Sequence, residues 1–71
     1  MFEEVKILEL AQKACDEGLK WFERYQDKKD EYYYQIAVEK HAYAEGLLKA
    51  YAILTGRQVS LYEIDKELAN Y

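Results

Sequence analysis

Apolar residues recur along this chain at helical intervals from end to end, and no stretch alternates with the two-residue period of a half-buried strand. From about Phe2 to Tyr25, one stripe is formed by Val5, Leu8, Ala11, Cys15, Leu19 and Phe22. A second stripe beside it holds Ile7, Leu10, Ala14, Trp21 and Tyr25. At about 100° per residue the two cover about 220° of the helix circumference, well beyond the ~100° needed by a helix resting on one neighbour. Lys6, Glu9, Lys13, Asp16, Lys20, Glu23, Arg24 and Asp27 fill the remaining arc.

The next apolar stretch runs from about Asp30 to Thr55, with Tyr32, Ile36, Tyr43, Leu47, Ala50 and Leu54 as its main stripe. Tyr33, Ala37, Ala44, Leu48 and Tyr51 widen it on one side, and Ala42, Gly46 and Ile53 on the other. A helix apolar nearly all round belongs in the middle of an assembly. Between the two stretches, Gln26 through Glu31 is wholly polar, which predicts a tight turn with Asp27 or Asp30 capping the second helix. One continuous helix of about 80 Å is the alternative that the unbroken apolar phase leaves open.

The C-terminal part carries the most specific local signals. Gly56 suits a left-handed helix C-cap. Ser60 and Glu63 have the spacing of a capping box, and Val59 and Ile64 that of a hydrophobic staple. Leu61, Ile64, Leu68 and Tyr71 then give a short third helix one apolar face. The expectation is an all-α single domain over 1–71, a helical hairpin plus a short C-terminal helix. Its elements are a helix at 2–26, a turn at 27–30, a helix at 31–55 and a short helix at 61–70.

Size makes self-association part of this picture. A chain of 71 residues buries only about 60% of its unfolded surface and sits near the limit for folding alone. Small folds add disulfides, a metal or a partner subunit, and a lone Cys15 has no partner within the chain. Yet 51% of the residues are hydrophobic, and the aromatic set comprises eight Tyr, two Phe and one Trp, more than so small an interior holds. The chain is therefore expected to form a homo-oligomer with a bundle-like core. Trp21, Phe22, Tyr43, Leu47, Ala50, Ile53 and Leu54 are its candidate interface residues.

The net charge of −4, mixed in sign along the chain, argues against general nucleic-acid binding, which relies on clustered Lys and Arg. No apolar run approaches the ~20 residues of a membrane span. The N-terminal Met1-Phe2-Glu3-Glu4 has neither the basic flank nor the apolar core of a signal peptide, so a cytoplasmic location is expected.

Reactive chemistry is thinly represented. His41 and Glu45 share a helical face, but Glu39 precedes His41 by two positions, one short of a bundle metal motif. An ordinary polar pair is the expectation, and no metal or cofactor is implied. Cys15 lies inside an apolar stripe, where a thiol behaves as a small hydrophobe. Gly-rich phosphate loops and serine elbows are absent from the sequence. The candidate binding residues are Tyr32, Tyr33 and Tyr34 with Lys28 and Lys29 at the turn, because three successive rings diverge around a helix and two are expected to pack while one stays outside.

Two resemblances bear on function. Ser60-Leu61-Tyr62-Glu63-Ile64-Asp65 resembles the Ser-Gln-Glu-Leu-Asp motif of small helical phosphatases acting on sporulation response regulators. Asp65 stands one position later than in that motif, so no catalytic role is carried over. In size, acidity and helical style the whole chain resembles small acidic helical proteins of bacteriophages and mobile elements. That resemblance implies an inhibitor that blocks host defence or regulation by binding. A non-enzymatic oligomeric binding protein acting on a protein partner is the leading expectation. A sequestering protein for a small nucleotide-like ligand is the alternative, and a sporulation-type aspartyl-phosphate phosphatase the distant one.

Overall fold

The computed structural model describes residues 2–71. Two long helices, α1 (Phe2–Lys28) and α2 (Glu31–Thr55), lie against each other as a hairpin, and a short α3 (Ile64–Leu68) packs on α1. The molecule is elongated, 41 × 20 × 16 Å. Among the described residues no helix is long and apolar enough to cross a membrane.

The hairpin, and with it the break between α1 and α2, is as the polar run predicts. Lys29 takes the left-handed conformation (φ 59°) that ends α1, and its N–H donates to the Tyr25 carbonyl at 2.7 Å. Asp30 then adopts an extended backbone and caps α2, its Oδ1 accepting from the Tyr32 N–H at 3.0 Å. Lys28 lies at the C-terminus of α1 and Glu31 at the N-terminus of α2, where each charge complements the helix dipole. No glycine is needed because a single residue carries the strained conformation.

The core is built from small side chains. Leu8, Ala11 and Ala14 of α1 meet Ala44, Leu48 and Tyr51 of α2, with Ile64 of α3 closing the open end. Alanine on alanine lets two helices approach closely and leaves little room for larger groups between them. This corrects the expected phase of α2. Its buried residues are Ala37, Ala44, Leu48 and Tyr51, while Tyr43 and Leu54 of the expected main stripe are more than half exposed.

α2 ends where predicted, at Gly56 (φ 74°), whose N–H donates to the Ala52 carbonyl at 2.7 Å. α3 is shorter than expected. The Ser60 N–H donates to Glu63 Oε1 at 3.3 Å, which is one half of a capping box. The Ser60 hydroxyl makes no reciprocal bond, Glu63 occupies the N-cap position, and 61–63 form a turn before the helix. Val59, Leu61 and Leu68 pack on the core around Ile64.

At the middle of the hairpin, Gly18 makes room for His41. A Cβ at Gly18 would lie 2.7 Å from His41 Cδ2 and 3.3 Å from the Ala37 carbonyl oxygen. Gly18→Ala should therefore lower stability by about 1 kcal/mol or more, overpacking outweighing the gain of about 1 kcal/mol in helix propensity. Urea unfolding checks this, and adding His41→Ala should recover part of the loss. A Gly18→Ala chain as stable as the parent would mean that the helices do not meet closely here.

Candidate functional site

Three features could carry chemistry or binding: a polar clasp at the open end, an aromatic cluster at the turn, and the outward flank of α2.

The clasp joins elements distant in sequence. Tyr51 is fully buried, and its hydroxyl donates to Glu67 Oε2 at 2.5 Å. Its single proton being used there, the 2.7 Å bond to the Tyr71 hydroxyl is donated by Tyr71. Arg57 grips the same carboxylate with Nη2 at 2.8 Å from Oε1 and Nε at 2.6 Å from Oε2. Such a two-pronged guanidinium contact is among the stronger ion pairs. The Arg57 guanidinium, followed by the Tyr51 hydroxyl, holds the buried Glu67 carboxyl below the ordinary carboxylate range. Burial, then the bond to Glu67, pushes the Tyr51 hydroxyl well above the ordinary tyrosine value. Every member has a partner, so the arrangement is one of locking. It fastens α3, at five residues too short to hold itself, to the end of α2.

The aromatic cluster sits at the other end. Trp21 stacks on Tyr33 with centroids 5.6 Å apart, and the Arg24 guanidinium lies over the Trp21 ring at 4.7 Å. Phe22, Tyr25 and Tyr34 form a second group, with Tyr25 and Tyr34 at 5.2 Å. Of the tyrosine triplet one ring is half-buried, Tyr33, while Tyr32 and Tyr34 are exposed, so two rings stay outside where one was expected. Lys28 and Lys29 are exposed at the same turn, Lys28 loosely paired with Asp27 at 3.9 Å. Arg24 and Tyr25 belong to this cluster and were missed from sequence. Their position one turn before the polar run was the available signal.

Cys15 and His41 provide no activated pair. Burial, with Asp16 and Asp65 adding charge, raises the Cys15 thiol, and a protonated thiol is a poor nucleophile. His41 Nε2 is buried without a hydrogen-bond partner among the described residues, its ring wedged over Gly18. Among the described residues no group of His, Cys, Asp and Glu is placed to hold a metal ion. Ser60 and Asp65 are both exposed.

The expected interface residues divide between two places. Trp21 and Phe22 are engaged in the turn cluster of their own chain. Tyr43, Ala50, Ile53 and Leu54 stand exposed along α2, with Leu47 half-buried beside them. Residues 58–62 run past the opposite side of α2, bordering an open cavity of 590 Å³ with Glu45, Leu48, Lys49 and Ala52. At 100° per residue those four lie about 180° from Tyr43, Leu47, Ala50 and Leu54. The C-terminal segment thus covers one flank of α2 and leaves the other open.

Comparison with known protein families, curated proteins and solved structures finds no match to this chain.

The clasp predicts a specific pH response. Glu67 titrates lower folded than unfolded, so its contribution is complete above the unfolded carboxylate range and is lost as pH falls through the lowered value. Tyr51 titrates higher folded, so its contribution is complete below about pH 10 and is lost as pH rises from there. Glu67→Gln should flatten the decline in urea midpoint on acidification below about pH 5. Tyr51→Phe should cost about 1–3 kcal/mol at neutral pH. A Glu67→Gln profile as steep as the parent's would show that Glu67 does not govern the acid limb.

Proposed function

We propose that this chain is a non-enzymatic binding protein that works as a homo-oligomer and inhibits or regulates a protein partner. The observation that carries this reading is where the large apolar side chains sit. The hairpin spends its interior on alanines and turns Tyr43, Leu54 and Ile53 outward, the last 85% exposed. Scattered apolar residues on a surface are ordinary. Tyr43, Ala50 and Leu54 share one flank of α2 and Ile53 lies about 90° around the helix from them, and exposed apolar side chains grouped in this way mark sites of association.

Two surfaces divide the work in this reading. The open flank of α2 joins copies of the chain, and the turn end engages the partner. There Tyr32 and Tyr34 are exposed, and so are Arg24, Lys28 and Lys29 at the same end of the hairpin. Tyr and Arg are the side chains most often decisive at protein interfaces. This composition fits a protein surface with an apolar patch rimmed by carboxylates.

The test compares Tyr34→Ala combined with Lys28→Glu against Tyr62→Ala, which alters an almost fully exposed ring at the other end of the molecule. Partner capture should fall at least about tenfold for the turn variant, the effect of losing one hot-spot contact, and stay unchanged for Tyr62→Ala. Sedimentation must show the same oligomer for all three proteins. Equal capture by the turn variant would remove the turn end from the reading.

A further inference from the structure

We draw no further inference here: the strongest candidate, the open cavity of 590 Å³ between α2 and residues 58–62, is lined by Leu48, Ala52, Val59 and Leu61 beside the exposed Glu45 and Lys49, and nothing in the structure shows what covers it.

Discussion

Close contact between small residues sets the geometry from which the other features follow. Ala11 and Ala14 of α1 face Ala44 of α2, and Gly18 receives the His41 ring against the backbone of Ala37. Helices this close gain dispersion contacts along their whole shared length. They also leave no interior wide enough for a full set of leucines and aromatic rings. Among the described residues, the large apolar side chains that are buried, Leu8, Leu48, Tyr51 and Ile64, lie toward the end where the hairpin opens. Others pack at the edge of the core, such as Ile7, Leu47 and Leu61, or stand exposed on α1 (Leu10, Leu19), at the turn (Phe22, Tyr32, Tyr34), along α2 (Tyr43, Ile53, Leu54) and in the C-terminal segment (Tyr62, Tyr71). The surplus of apolar surface is thus a consequence of how the two helices meet.

At the open end the same constraint calls for a different solution. α3 has too few residues to be stable alone, and Ile64 is the one side chain it buries completely in the core. Arg57, Tyr51 and Tyr71 complete the attachment by satisfying Glu67. A buried carboxylate deprived of these partners would be strongly destabilising, whereas the paired one fixes a single arrangement of the C-terminal segment. Residues 58–62 border one flank of α2, and on the opposite flank Tyr43, Ala50 and Leu54 stand exposed.

Much of the architecture was legible in the sequence, for local reasons. The polar run from Gln26 to Glu31 located the turn, and Asp30 was one of the two named caps. Gly56 announced the end of α2 through its left-handed conformation. The helical phase was harder to read, because α2 carries apolar residues on nearly every side. Helical spacing put Tyr43, Leu47 and Leu54 in the main stripe, yet the neighbouring stripe through Ala37, Ala44, Leu48 and Tyr51 packs inside, since close approach rewards small residues. Ser60 and Glu63 had the right spacing, but Glu63 reaches only the Ser60 backbone and α3 starts after it. The clasp was illegible because Tyr51, Arg57, Glu67 and Tyr71 meet only once the chain has folded.

We propose that this hairpin leaves apolar surface uncovered which a second copy covers, so that folding and association are one equilibrium. The most direct measurement is the thermal unfolding midpoint of the unmodified chain across roughly a hundredfold range of protein concentration, since association of the native state makes the midpoint depend on mass action. The midpoint is expected to rise steadily with concentration, with a single cooperative transition throughout. A midpoint that stays constant over that range would mean the hairpin is complete as a monomer, and would contradict it.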